Sequence, residues 1–187
     1  NGPALAWQLC SAVRSNWPTK FLAHAPFAIV GFHASFPYKE FGYWSDAVMP
    51  QIYHFSAAKA PSAAINWTDV NWTYYQNLWR SLPPENINGL TVYWTNAIKP
   101  LVPIQDVYGH DFSAPTPDKD VQEFIDYLAA DPNTPAVGGY AGANFFRADL
   151  HDAQQWAYIS GGTLGAAPGL VNNIVLVKIL GLCPFMG

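Results

Sequence analysis

The apolar positions of this chain fall into short continuous runs and longer stretches in which they recur every three or four residues. Continuous runs of this length predict buried strands, because a strand covered on both faces is apolar throughout. The spaced stretches predict amphipathic helices. The predicted strands are 26–34, 46–55, 99–109 and 136–146, and 89–96 is the less favoured alternative to 99–109. The predicted helices are 4–16, 36–45, 70–82, 116–130 and 149–160, and 57–69 is predicted to be a loop.

The same patterns predict which helix faces are buried. In 4–16 the apolar residues Leu5, Leu9 and Val13 recur at a spacing of four, which places them on one face. The corresponding positions of the later helices are Trp72, Tyr75, Leu78, Trp79 and Leu82, and Phe124, Ile125 and Leu128.

The order of these elements predicts the fold class. Helices and strands alternate along the chain, which favours an α/β fold of parallel strands joined by crossover helices. Four such units make half of an eight-stranded barrel, so we expect a half or partial TIM barrel over residues 1–166, followed by an apolar tail at 167–187. A flavodoxin-like open sheet also fits the alternation, but no glycine-rich phosphate loop follows a predicted strand.

Composition narrows the classes of partner. Half of the 187 residues are hydrophobic, 12% are charged, and the net charge is −4, which indicates a large core and does not favour a nucleic-acid partner. The eight Trp, ten Tyr and eleven Phe residues fit either an aromatic core or a carbohydrate-binding surface. Cys10 and Cys183 are too few for a disulfide framework and are predicted to be free thiols. No signal peptide is recognisable, and a secreted or cell-surface location is favoured by the expected ligand class.

Three stretches resemble the closing half of a glycoside-hydrolase-like TIM barrel family, similar to lysozyme-type and peptidoglycan-associated barrels. They are 32–55, 97–109 and 137–159, and the resemblance spans roughly 20–160. It implies a carbohydrate-active protein, a glycoside hydrolase acting on cell-wall or related polysaccharide, with the opening half of the barrel outside this sequence. The chain departs from the family pattern in having no Asp-x-Glu pair and in having Ala34 after His33.

The resemblance also implies where the site lies, since TIM barrels carry their active sites at the carboxyl ends of the strands. Asp106 follows the third predicted strand and is the best-placed carboxylate for catalysis, whereas Asp46 precedes its strand and is expected at the opposite end. The alternative role of Gln51 is a bond to a neighbouring backbone group, and that of Tyr53 is a place in the core. The predicted substrate-binding residues are Gln51, Tyr53, His54, His33, Tyr108, Trp94 and Arg147.

Catalysis is left open by the carboxylates. Glycoside hydrolysis needs a pair of them, and Asp106 has no convincing second carboxylate in the sequence. A non-catalytic barrel that binds glycan or another partner is therefore the second candidate. Neither a metal nor a cofactor is predicted, because the five histidines do not form a pair at ligand spacing. Two open edges of a half-barrel sheet predict a homo-oligomer.

The tail at 169–187 resembles a different family, namely the first membrane helix of one of the integral membrane proteins of the Rnf electron-transport complex. That resemblance implies an iron–sulfur ligand role for Cys183 and a third candidate, a fragment of a membrane-linked redox complex. One cysteine alone does not hold a cluster, and Lys178 in the middle of a bilayer span would cost about 3 kcal/mol. A membrane partner is therefore not expected, and the β-branched residues also fit a final strand.

Overall fold

The structure is a computed structural model that describes residues 2–53, 60–105, 123, 124, 126–128 and 143–145. In chain order its elements are helix α1 (Gly2–Asn16), strand β1 (Ala23–His24), 3-10 helix η1 (Val30–His33), helix α2 (Tyr38–Trp44), strands β2 (Ala47–Val48) and β3 (Gln51–Ile52), helix α3 (Pro61–Ser81), strands β4 (Glu85–Ile87) and β5 (Leu90–Val92), 3-10 helix η2 (Trp94–Ala97), and strands β6 (Ile104–Gln105) and β7 (Asn144–Phe145). Residues 123, 124 and 126–128 are also helical.

The short strands are parts of four longer parallel segments, 23–27, 47–52, 101–105 and 144–145, which we number first to fourth. β1 pairs with β2, and an isolated bridge joins Phe27 to Gln51 in the same register. A bridge from Val48 to Leu101 continues the register of β3 with β6, and β6 pairs in turn with β7. Every one of these pairings is parallel, and the segments are neighbours in the order of the chain.

Prolines explain why the segments are broken into such short strands. Pro26, Pro50 and Pro100 have no N–H to donate to the ladder. Their carbonyl groups still accept, from the backbone N–H groups of Gln51, Ile104 and Val48 respectively, at 2.8–3.0 Å. The run from Ala47 to Ile52 thus continues through its proline with its neighbours still bonded.

Alternation along these segments separates a helix-covered face from the opposite face of the sheet. Val48, Ile52 and Leu101 belong to the hydrophobic core and are at most 1% exposed. They pack with the inner residues of α3 and of the helical residues near 124, which are Ala64, Ile65, Trp72, Trp79, Phe124 and Leu128. The burial predicted for Trp72, Trp79, Phe124 and Leu128 is confirmed, but Leu78 is 44% exposed.

The first helix is confirmed, but its predicted inner face is wrong. Leu5 and Leu9 are 63% and 57% exposed, and the buried residues of α1 are Ala6, Trp7 and Cys10. The reason is Trp7, whose ring packs against those of Tyr43, Trp44 and Trp94 and so turns its own side of the helix inward. Cys10 is a free thiol, as predicted, and burial raises its pKa. Cys183 lies outside the described residues.

The strand predicted at 26–34 is wrong for most of its length. The first segment ends at Phe27, and residues Val30–His33 form η1 instead. The apolar run 27–32 is short and its burial does not distinguish a strand from a helical turn, which is the known ambiguity of continuous apolar runs. The fold-back at η1 determines the geometry of the candidate site described below.

The loop predicted at 57–69 is also wrong, because α3 begins at Pro61 and runs to Ser81. Proline is favoured at the first helical position, where its missing N–H costs nothing, so Pro61 is a start signal rather than a loop signal. Residues 89–96 hold part of an antiparallel hairpin, β4–β5, whose turn residues Asn88 and Gly89 both have positive φ. The preferred third strand is confirmed by the segment 101–105.

The remaining predicted elements stand as follows. The helix at 36–45 is confirmed by α2, and the strand at 136–146 contains β7. The helix at 149–160 and the tail at 167–187 lie outside the described residues. None of the helices in the described part of the chain is both long and apolar enough to cross a membrane. The half barrel itself stays a prediction.

Candidate functional site

The carboxyl ends of the first two parallel segments bring together the best-defined candidate site. Phe27 and Gln51 are paired across these segments, and residues in register point to the same face of a parallel sheet. Tyr53 follows two positions later on the second segment, which the same alternation places on the side of Gln51. Phe27 is 54% exposed although it lies on the sheet. We call Phe27, His33, Gln51 and Tyr53 the carboxyl-edge site.

His33 reaches this site through the fold-back of η1. Its ring stacks on that of Phe27, with centroids 3.9 Å apart and planes at 28°. In a continuous strand the two residues would be about 20 Å apart, at roughly 3.3 Å per residue. The 3-10 helix therefore returns His33 to the end of the first segment. Each ring shields one face of the other, and the exposure of both residues leaves ring surface open to solvent.

Gln51 has a defined partner within this site. Its side-chain Nε2 donates a hydrogen bond of 2.6 Å to the carbonyl oxygen of Ala25 on the first segment. This is the backbone-bonding role that the sequence left open as an alternative to ligand binding. The bond occupies one amide hydrogen and leaves the Gln51 carbonyl oxygen as an acceptor, held beside the Phe27–His33 stack.

Tyr53 and Trp94 lie in different surroundings. Tyr53 is partly buried and has a partner in the structure. Trp94 is 1% exposed, packs on the rings of Trp7 and Tyr43, and is covered by the Lys39 ammonium group at 3.6 Å from its ring centroid. A ring so enclosed offers no face to a ligand, so this placement favours a core role for Trp94 over the predicted binding role.

Four of the predicted site residues, Asp106, His54, Tyr108 and Arg147, lie outside the described residues. Asp106 immediately follows β6, the central strand between β3 and β7. The carboxylates that the structure describes lie elsewhere, on helices, on the β4–β5 hairpin or before the second segment; they are Glu40, Asp46, Asp69, Glu85, Glu123 and Asp126. The carboxyl-edge site, as described, is therefore uncharged apart from any protonation of His33.

Asp46 lies at the amino end of the second segment, as predicted, and serves the fold there. Its carboxylate accepts hydrogen bonds of 2.8 Å from Arg14 Nη2 and from the backbone N–H of Leu22. Partial burial raises the pKa of Asp46, but the bonds from Arg14 and Leu22 and the charges of Arg14 and Lys99 outweigh it, and the net pKa is below its usual value. Arg14 also donates to the carbonyl oxygens of Trp44 and Lys20, tying α1 to this end of the sheet.

A second pair of aromatic rings lies next to the carboxyl-edge site in the chain. Phe32, the residue before His33, meets Trp67 of α3 edge to face, with centroids 5.2 Å apart and planes at 77°. Phe32 is 66% exposed. Among the described residues no group of three His, Cys, Asp or Glu side chains is arranged to hold a metal ion.

Comparison with known proteins adds no relative, since no protein family, curated protein or solved structure matches the chain. Function is thus argued from the geometry of the carboxyl edge.

Sequence reasoning missed Phe27, Phe32 and Trp67. The two phenylalanines were assigned to a buried strand, and Trp67 to a loop, so neither pattern placed them at a surface. One available signal is Gly31 between Val30 and Phe32, because a glycine inside an apparent strand marks a bend or a close backbone approach.

Proposed function

We propose that this chain is part of a carbohydrate-active (β/α) barrel protein, and that it binds glycan at the carboxyl-edge site. The observation that supports this most directly is the Phe27–His33 stack, held at the end of a parallel segment with its rings open to solvent. A ring with one face buried and one exposed offers a fixed apolar platform to the C–H face of a sugar, and little ordering of the platform is needed on binding.

The polar neighbours fit the same ligand class. Sugar hydroxyl groups both donate and accept, so they suit amide and phenol partners, which also do both. Gln51 is oriented by its bond to Ala25 and keeps its carbonyl oxygen available. Tyr53 lies two positions further along the same segment. Ligands are expected at the carboxyl ends of strands in parallel α/β folds, which is where these residues lie.

Binding is proposed ahead of hydrolysis because of the carboxylates. Retaining and inverting glycosidases alike need two carboxyl groups flanking the scissile bond. Asp106 is one candidate by its place directly after β6, and the second would come from residues beyond those described or from another part of the barrel. Hydrolysis is the second candidate function, and Asp106→Asn would abolish release of reducing sugar while leaving glycan binding intact.

The test of binding compares two phenylalanines at opposite ends of the first segment. Phe27 and Phe21 are 54% and 57% exposed, so they are matched in residue type and exposure. The wild-type chain, Phe27→Ala and Phe21→Ala are each incubated with insoluble cellulose, chitin, xylan and peptidoglycan, and the bound fraction is measured over a range of protein concentrations. We expect Phe27→Ala to weaken binding about tenfold, equivalent to roughly 1.4 kcal/mol, and Phe21→Ala to bind as the wild type does.

Two results would contradict the proposal. The first is a wild-type chain retained by none of the four polysaccharides. The second is equal retention of Phe27→Ala and Phe21→Ala, which would place any binding surface away from the carboxyl edge.

A further inference from the structure

The Phe32–Trp67 pair is a second aromatic surface that the carboxyl-edge site does not use. The edge-to-face contact holds the Phe32 ring by one side, while 66% of the residue stays exposed. An exposed phenylalanine is ordinarily free to rotate, but this one is fixed by a tryptophan from a different element. The pair therefore has the property that makes the Phe27–His33 stack a platform, namely a held ring with an open face.

The two aromatic surfaces are adjacent because Phe32 and His33 are consecutive in η1. A 3-10 helix has three residues per turn, so neighbouring side chains leave it about 120° apart. His33 is directed to Phe27 on the sheet, and Phe32 is directed to Trp67 on α3. The helix η1 thus carries one surface on each side, and a ligand crossing it would meet both.

The position of η1 against α3 is fixed by a close contact at Gly31. A Cβ atom there would lie 3.4 Å from Asn71 Oδ1 and 3.7 Å from the Tyr75 hydroxyl oxygen. Asn71 in turn donates from Nδ2 to the carbonyl oxygen of Trp67 at 3.1 Å. Asn71 is partly buried and carries amide groups beside both elements, so a polar side chain borders the aromatic surface.

The charge pattern around this surface limits the ligand. Residues 25–38 contain no Asp, Glu, Lys or Arg, and His33 is their single titratable imidazole. In α3, residues 61–79 contain one charged residue, Asp69, which is 2% exposed. An anionic polymer would find no cation here, and a cationic one would find no exposed carboxylate among the residues that the structure describes. The surface is matched to an uncharged ligand.

We propose that Phe32 and Trp67 form a second sugar-binding subsite, and that the ligand is a neutral polysaccharide whose chain crosses η1 and stacks on both aromatic surfaces. This inference rests on the proposed function, since it extends the glycan site from one ring platform to two. Its specific content is that affinity grows with ligand length, and that the growth depends on Phe32.

The experiment measures the binding of dimer-to-hexamer series of cello-oligosaccharides and chito-oligosaccharides by isothermal titration calorimetry. The proteins are the wild type, Phe27→Ala, Phe32→Ala and the exposed control Phe21→Ala. We expect the wild-type affinity to rise about tenfold from the shortest to the longest ligands of one series. Phe32→Ala is expected to remove that rise while leaving the affinity for the shortest ligand unchanged, and Phe27→Ala to weaken ligands of every length.

Failure of this inference is distinguishable from failure of the proposed function. Length-dependent binding that is the same in Phe32→Ala and Phe21→Ala would overturn the second subsite but leave the first. Tighter binding of an acidic polysaccharide such as polygalacturonate, with a strong dependence on salt, would overturn the neutral ligand class. Loss of all oligosaccharide and polysaccharide binding in the wild type would overturn both proposals.

Discussion

His24 is held as a neutral imidazole by its hydrogen-bond partner and its burial. Its Nδ1 lies 3.0 Å from Ser45 Oγ, and Ser45 Oγ donates its own hydrogen to the carbonyl oxygen of Phe41 at 2.8 Å. Ser45 can therefore only accept from His24, which assigns the hydrogen to Nδ1 and leaves Nε2 unprotonated. Nε2 is buried with no hydrogen-bond partner, and the ring stacks on Phe41. Protonation would put a charge there with nothing to accept it, and burial lowers the pKa of His24 to about 4.

This arrangement predicts a loss of stability in mild acid. The unfolded chain takes up a proton on His24 near pH 6.5, whereas the folded chain resists until about pH 4, so the contribution is complete above pH 6.5 and lost as the pH falls through that window. The free energy of unfolding should fall by about 3 kcal/mol from this group, at 1.36 kcal/mol per pKa unit. In His24→Asn, whose amide can still donate to Ser45, urea denaturation at pH 7 to 4 should give a smaller slope with pH.

The matched control is His33→Asn, which removes an exposed imidazole from the same part of the chain. It should keep the wild-type pH dependence of unfolding. Parallel curves for wild type and His24→Asn across this pH range would show that His24 is not the group responsible. The lowered pKa of Asp46 acts in a separate range, below about pH 4, because that group is already ionised above it.

At the scale of elements, the packing of α2 on η2 depends on Gly42. A Cβ atom at this position would lie 2.5 Å from the carbonyl oxygen of Ala97, which is a backbone atom and cannot rotate away. Alanine favours a helix over glycine by about 1 kcal/mol, but forcing two packed elements apart typically costs about 1–3 kcal/mol. We expect Gly42→Ala to be destabilised by about 1–2 kcal/mol in urea denaturation. Gly2→Ala in α1, where nothing lies within 4 Å, should be neutral, and equal stabilities for the two variants would contradict this packing argument.

Periodicity predicted elements well where one side of the pattern dominates, and less well where a single contact decides. The second and third parallel segments are continuous apolar runs, and both were found although prolines interrupt their ladders. In α1, periodicity selected Leu5 and Leu9, but the large surface of Trp7 determined which face is buried. In 26–34 the residues were apolar enough for a strand, and the contact of Gly31 with α3 favoured a 3-10 helix instead.

The candidate site was predictable only as far as the chain direction is. Gln51 and Tyr53 could be placed because they end a recognisable strand. Phe27 and His33 are six positions apart and meet through a turn whose shape depends on tertiary packing, which local patterns do not encode. Trp94 has the same composition signal as a sugar-stacking residue, and its enclosure by Trp7, Tyr43 and Lys39 comes from three distant parts of the chain.

At the scale of the whole molecule, the first parallel segment is an open sheet edge. The carbonyl groups of Leu22, His24 and Pro26 accept from the second segment. Backbone groups alternate in direction along a strand, so those of Ala23, Ala25 and Phe27 face away from it. No strand pairs with that side among the residues that the structure describes. An unpaired parallel edge is a template for another strand.

We therefore expect the purified chain to self-associate through this edge. Ala25 is exposed, and a lysine there would place a charge on the edge, which is how natural edge strands prevent pairing. Light scattering coupled to size-exclusion chromatography should show a mass that rises with concentration for the wild type. Ala25→Lys should shift the chain toward monomer, whereas Ala12→Lys, at an exposed alanine of α1, should associate as the wild type does. A wild-type monomer at every concentration would mean that the edge is covered within the chain itself, and equal association of both lysine variants would place the contact on another surface.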